Sequence, residues 1–240
     1  MPTPTLHSEL RAGGVLVLTL NRPERLNAID DALARALLAA LQAAGSNAAV
    51  RAVLLCGAGR AFCAGRDTGA PPGEDDLVLV QAVAQALVRL PQPVVVAVQG
   101  WAVGAGLEWM LDADLVVAAE DARFKLPEAS LGVFVTGGLT ATLAAAVGLP
   151  RARALMLLGE PFTAQQAHAW GLVWQLAPAA RLEAQALAVA ERLAALEPRV
   201  AQGFKRVLNQ VGLAGFEAAV ALENDVQREL MAALAPQRPA

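Results

Sequence analysis

Apolar and polar positions along this chain follow two rhythms. Short unbroken apolar runs occur at Val15 to Leu20, Val53 to Cys56, Val94 to Val98 and Leu115 to Ala118. Runs of four to six residues rich in β-branched side chains predict strands buried on both faces. Between them the spacing changes to that of a helix. Leu33, Leu37, Leu38 and Leu41 form a stripe that starts near Asp30 and Asp31 and fades at about Ala44, before a turn at Gly45-Ser46-Asn47. Leu77 to Leu90 reads as a second helix, stopped by Pro91 and Pro93. Helical patterns recur from about Leu107 to Ala113, Leu139 to Val147, Arg151 to Leu158 and Thr163 to Trp170. Thr163-Ala164-Gln165-Gln166 fits a capping box with the threonine as N-cap. Val173 to Leu176 reads as one more short strand. From Arg181 onward the chain is helical, with breaks near Glu197-Pro198 and Gly212 to Gly215.

Strands that each lead into a helix predict an α/β fold with parallel strands. The pattern alone points to a doubly wound sheet. At 240 residues the chain is one domain, or one with an appended subdomain. It is 56% hydrophobic with a mean hydropathy of +0.45. That implies either apolar surface buried between subunits or contact with membrane. Ala129 to Pro150 is uncharged and long enough to test as a span, but its four glycines and three threonines favour a buried loop plus a helix. Net charge is −3, and only Lys125 and Lys205 among the basic residues are lysine, so there is no nucleic-acid footprint. Cys56 and Cys63 have no histidine nearby, which reads as a reduced cytosolic pair and not as a metal site. The first fourteen residues lack the apolar core of a signal peptide.

The chemistry concentrates between Gln99 and Gly138. A glycine-rich turn, Gly100 to Gly106, sits between a buried strand and a helix and can present backbone N–H groups to a ligand. Glu108 follows, flanked by Leu107 and Trp109, where a carboxylate is costly to bury unless it works for the protein. Glu128 comes after Pro127, in a stretch read as loop and, by itself, as solvated. A helix, a strand and a turn can fold it back beside Glu108. Two carboxylates next to exposed N–H groups can move protons against a developing oxyanion. Dinucleotide and phosphate loops are absent, because Trp109 replaces the last glycine of G-x-G-x-x-G and no lysine follows a glycine turn. Asp112 and Asp114 read as residues that cap or brace the following strand, and His7 and His168 as non-catalytic.

In four ordered motifs the chain resembles the enoyl-CoA hydratase/isomerase (crotonase) superfamily. Asn21-Arg22-Pro23-Glu24-Arg25-Leu26-Asn27-Ala28 is similar to its N-terminal motif, Gly59 to Asp67 to its first oxyanion loop, and Gly100 to Glu108 to its second. Glu128 matches its other glutamate. The resemblance implies a right-handed spiral of β-β-α turns with a C-terminal helical subdomain, a core over 1–195 and an oligomerising helical region over 196–240. It implies an oxyanion hole made by the N–H groups of Arg66 and Ala105. It implies that Glu108 and Glu128 hold one water, Glu108 taking its proton as oxygen adds to C3 and Glu128 delivering a proton to C2. Arg25, Ala28, Ala64, Asp67 and Thr68 would lie along coenzyme A, with Gly104, Trp101 and Trp109 shaping the acyl end.

The expected activity is hydration of a 2-enoyl-CoA. A Δ3–Δ2 enoyl-CoA isomerase, or another enolate-using acyl-CoA enzyme, is the alternative, and a non-catalytic CoA-thioester or RNA-binding homologue a more distant one. No metal or tightly held cofactor is expected, since coenzyme A arrives with the substrate. The expected assembly is a cytoplasmic homotrimer or dimer of trimers, without nucleic acid or membrane. Two departures from the pattern bear on these expectations. The second glycine turn, Gly132 to Gly138, lacks the family's proline and is one residue shorter, so the acyl group need not be straight. The final helix with its aromatic and lysine has no counterpart after Met231, which bears on CoA affinity.

Overall fold

The computed structural model describes residues 4–67, 69 and 74–234. The chain opens with β1 (Leu6–Leu10) and β2 (Val15–Leu20), followed by α1 (Asp31–Ser46), β3 (Ala52–Gly57) and α2 (Glu74–Arg89). Next come β4 (Val94–Val98), β5 (Trp101–Val103), α3 (Ala105–Leu111), β6 (Leu115–Ala119), β7 (Arg123–Lys125) and α4 (Glu128–Leu131). The remainder is α5 (Leu139–Val147), α6 (Leu149–Leu158), β8 (Phe162–Thr163), α7 (Ala164–Ala169), β9 (Gln175–Ala177), α8 (Leu182–Ala194), α9 (Pro198–Gly212) and α10 (Phe216–Leu234).

Local chemistry sets most of these boundaries. Asp30 caps α1 by accepting the N–H of Leu33 at 2.8 Å. Thr163 and Gln166 form both bonds of the capping box on α7, as the sequence predicts. Pro198 opens α9, where its missing N–H costs nothing, and Glu197 caps that helix through the N–H of Val200. Gly45 and Ser46 are still helical, so the expected turn begins only at Asn47.

Two sheets result. The larger has the order β1-β2-β3-β4-β6-β9, parallel except for β1 against β2. All five residues of β4 are buried, which accounts for its unbroken apolar run. A doubly wound sheet would reverse its strand order at a switch point. This order never reverses, and that corrects the expectation drawn from pattern alone. The smaller sheet is β5-β7-β8. β4 passes at once into β5 and β6 into β7, so each turn of chain lays one strand in the large sheet and one in the small. Cys63 bridges Ala102 and extends the same rank behind β3.

α8 covers β3, β4 and β6, and α1 packs on α2. α10 lies on α5 of its own chain. The uncharged stretch 129–150 divides among α4, a loop, α5 and the start of α6. Among the described residues no helix is long and apolar enough to cross a membrane.

Candidate active site

The two glycine loops meet at the ends of β3 and β4. Cys63 N–H donates to Trp101 O at 3.1 Å, and Val103 N–H to Cys63 O at 3.0 Å. Gly65 has a left-handed φ of 86°, and a Cβ there would stand 2.8 Å from Val103 O and 3.7 Å from the nitrogen of Ala105. Only glycine fits, and its absence of side chain lets the first loop lie against Val103 and Ala105 of the second. Ile29 N–H bonds Gly65 O, and Asp67 N–H bonds Ile29 O. That register turns the N–H of Arg66 away from β-type pairing. Leu107 and Glu108 donate to Gly104 O, which leaves the N–H of Ala105 at the open start of α3. Among the described residues neither N–H has an acceptor. The Arg66 guanidinium is turned elsewhere, to Asp76 at 2.9 Å.

Both glutamates lie at this junction. Glu108 is on the first turn of α3 and 1% exposed. Its Oε1 accepts the N–H of Thr136 at 3.2 Å, and among the described residues its Oε2 has no hydrogen-bond partner. Burial pushes its carboxyl well above the usual range, repulsion from Glu128 and then Glu223 adds to that, and the N–H groups of Thr136 and Gly137 pull the other way. Glu128, expected in a solvated loop, instead opens α4 and is only partly exposed. Burial lifts its carboxyl to about 7. Its Oε2 is also without a partner. A Cβ on Gly104 would touch its Oε1 at 2.6 Å, and a Cβ on Gly137 would touch Glu108 Oε2 at 2.7 Å. Two glycines therefore make the space in which the carboxylates sit.

The other expected positions divide. Ala28 and Asp67 are joined through Arg22, a residue of the N-terminal motif to which the sequence reading gave no role of its own. Arg22 donates to Ala28 O, meets Asp67 Oδ2 at 3.0 Å and Asp30 Oδ2 at 3.2 Å. Asp67 is held below its ordinary range, chiefly by that Arg22 bond and by the N–H of Gly69. Arg25 is exposed on the short helical turn Pro23–Arg25. Ala64 N–H bonds Leu26 O at 3.0 Å. Thr68 lies outside the described residues. Trp101 is 39% exposed on β5 and so is not enclosed in the site, whereas Trp109 is fully buried beside α2, its Nε1 3.5 Å from Val80 O.

Asn27 is the other residue that reasoning from sequence missed. It is fully buried at φ 55°, donates to Ala58 O and Ala61 O, and accepts from the N–H of Arg22. It ties the N-terminal motif to the first loop, and Cys63 adds a thiol bond to Asn27 O. Burial lifts that thiol to about 12, so it is inert. Both cysteines are free, and among the described residues no group of His, Cys, Asp and Glu could hold a metal.

Asp114 braces the preceding strand β4, not the following one as expected, by accepting the N–H of Val94 at 2.7 Å, and it pairs with Lys205 at 2.8 Å. Asp112 does not do the same. It is buried with both oxygens unpartnered, and burial first, then Glu108 and Glu223, push its carboxyl well up.

The family profile for enoyl-CoA hydratase/isomerase matches residues 11–237. The chain is 37% identical over 226 residues to the 1,2-epoxyphenylacetyl-CoA isomerase of Escherichia coli K12, covering 90% of this chain and 86% of that one. It is 38% identical over 217 residues to the 2,3-dehydroadipyl-CoA hydratase of the same strain, covering 88% and 85%. Among solved structures, an enoyl-CoA hydratase from Mycobacterium avium subsp. paratuberculosis K-10 superposes with a TM-score of 0.90 at 33% identity, over 98% of this chain and 92% of that one. A spiral of paired sheets and these matches agree: the chain belongs to the enoyl-CoA hydratase/isomerase family and has the crotonase fold.

Proposed function

We propose that this enzyme hydrates a 2-enoyl-CoA thioester to a 3-hydroxyacyl-CoA. The observation that carries this reading is the pair Glu108 and Glu128, each with one oxygen left without a partner among the described residues, beside two N–H groups that have no acceptor there either. The thioester oxygen would be held by the N–H groups of Arg66 and Ala105. As charge develops on it, two fixed donors in a water-poor site stabilise the enolate more than the ground state.

Hydration needs one carboxylate and one carboxylic acid. Burial and mutual repulsion let the pair share a single proton around neutral pH. At rest burial favours the proton on Glu108, and a water between the two can relay it to Glu128. In the reactive arrangement the oxygen of water bonds to C3, Glu108 takes the proton that water releases, and C2 takes the proton of Glu128. The pair ends with one proton, as it began. Coenzyme A enters as part of the substrate, along Ala28, Ala64 and Asp67 with Arg25 outside, and no further cofactor takes part.

A Δ3–Δ2 isomerase, in which one carboxylate moves a proton between two carbons, is the second reading. It is supported by the family description, which joins hydratase and isomerase, as the first is by the likeness to a 2,3-dehydroadipyl-CoA hydratase at 38%. The deciding experiment is a panel of 2-enoyl- and 3-enoyl-CoA thioesters of short, long, branched and cyclic acyl groups. Loss of the conjugated enoyl-thioester absorbance in water supports hydration. Turnover of 3-enoyl substrates alone overturns it.

A further inference from the structure

The segment that touches Glu108 is held in place from a distant helix. α10 turns one stripe inward, Phe216, Val220, Glu223 and Gln227, all buried. These residues recur at helical spacing, so one face of α10 carries them all. Gln227 Oε1 accepts the N–H of Phe134 at 2.7 Å. Glu223 Oε2 accepts the N–H of Gly138 at 2.7 Å, and its Oε1 accepts both the N–H and the hydroxyl of Thr140, at 2.8 and 2.6 Å. The Phe216 ring lies so close to Gly138 that a Cβ there would be 2.2 Å from it. Between these two clamps are Thr136, which donates to Glu108, and Gly137, which borders its other oxygen.

From this arrangement we infer that α10 is a brace for the catalytic loop, and that Glu223 and Gln227 are positioning residues acting on Glu108 through the Phe134–Thr140 segment. The loop carries no proline and has Gly137 and Gly138 in succession, so its own chain does little to fix it. A buried carboxylate that accepts three hydrogen bonds fixes a loop far better than a surface contact would. Placing Thr136 N–H within reach of Glu108 is then a consequence of where α10 lies. Val135, buried, lies between the same two clamps.

The link to catalysis rests on the hydratase reading, whereas the brace itself does not. Two variants test both. In Glu223→Gln the amide keeps the size but presents N–H to the N–H of Gly138. In Gln227→Met the shape is kept and the acceptor is lost. Hydrogen exchange without substrate reads the brace: the amides of Phe134, Thr136, Gly138 and Thr140 should exchange faster in both variants, with the other core amides unchanged. Unchanged exchange at these amides overturns the brace.

Turnover of the best 2-enoyl-CoA reads the link. Small displacements of a catalytic group cost up to about 100-fold. The expected loss is therefore about 10- to 100-fold in kcat, with the affinity for a saturated acyl-CoA nearly unchanged. In a Glu108→Gln background the same variants should cause little further loss, because both act through one group. A full additional loss in that background assigns Glu223 and Gln227 a merely structural role and overturns the link. A wild-type enzyme that turns over no 2-enoyl-CoA removes the hydratase reading and the link with it, and the exchange result still decides the brace. If Glu223→Gln fails to fold, the exchange and kinetics of Gln227→Met carry the same two decisions.

Discussion

Gly104 and Glu128 occupy one space: a side chain on the glycine would press on the carboxylate, 2.6 Å from Oε1. The glycine also has φ 52° and ψ −127°, a conformation that L side chains rarely adopt. Its N–H bonds Lys125 O, which fixes the two strands of the small sheet next to the glutamate. Gly104→Ala should therefore do two things. It should cost about 1–3 kcal/mol of stability through backbone strain. It should also displace Glu128 and the N–H of Ala105 together, with a loss of about 100-fold in kcat/KM. Thermal melting and steady-state kinetics on the same preparation check both. An alanine variant with wild-type kinetics would mean that Glu128 is not held by this contact.

The paired glutamates are predicted to act as a unit. Glu108→Gln and Glu128→Gln should each reduce hydration by about 10²–10⁴. The double variant should lose little more than the worse single one. Glutamine keeps size and a hydrogen bond, so binding of a saturated acyl-CoA should change little. If Glu108→Gln spares 3-enoyl to 2-enoyl conversion while Glu128→Gln abolishes it, the reaction is isomerisation.

The pH profile follows from the same pair. Glu128 sits at about 7 and Glu108 well above an ordinary glutamate, both because they are buried. Below about 7 both carry protons and no base remains. The acid limb of kcat/KM should therefore fall near 7, and not near the ordinary value of about 4.3. Glu128→Gln should shift that limb in whatever activity survives, because Glu108 is then the one carboxyl of the pair left to titrate. An acid limb near 4 in the wild type contradicts the burial seen at Glu128.

How much of this was legible follows from the range of each signal. The cost of burying Glu108 could be read because its apolar neighbours are adjacent in sequence; that it is buried all the same is the structure's finding. The four long strands could be read because runs of four to six residues, nearly all apolar, exceed what a surface loop carries. β5, β7 and β8 could not, since two or three residues show no period. Without them the second sheet vanishes, and a doubly wound sheet looked natural. Glu128 read as solvated because a proline-led loop is usually exposed; the room for its carboxylate is left by Gly104, 24 positions away by number (128 − 104). Arg22 was passed over for Arg25 because its partner Asp67 is 45 residues distant. The clamp of Glu223 on Gly138 spans 85 residues and left no local trace.

Self-assembly is the fourth prediction. α9 buries Ala201 and Lys205 against its own core but exposes Phe204, Val207, Leu208 and Val211, from 52% to 76%. Four large apolar residues on one helix face are unusual for a monomer. A second copy of the chain is the expected cover, in a trimer or dimer of trimers. Sedimentation equilibrium should give three or six times the monomer mass of 24.8 kDa. Phe204→Asp should weaken that association. A wild-type monomer at micromolar concentration would remove the idea.

Asp112 supplies the last prediction, and it concerns stability alone. Its carboxyl is 4% exposed, neither oxygen has a partner, and Glu108 and Glu223 stand near it. Burial, then those two neighbours, raise its folded-state pKa well above the unfolded value. A group raised in this way contributes its stability in full below the unfolded pKa. That contribution is lost as pH rises through the folded pKa, because the folded chain must then ionise a buried group or keep a proton the unfolded chain has given up. Asp112→Asn removes the titration and keeps the shape. The variant should melt close to wild type at pH 4, and increasingly above it as pH rises toward 9. Calorimetric scans at pH 4, 6, 7.5 and 9 check the trend. A variant that melts lower than wild type by the same margin at every pH would show that the aspartate holds α3 through a hydrogen bond, and the charge would then have no part in its cost.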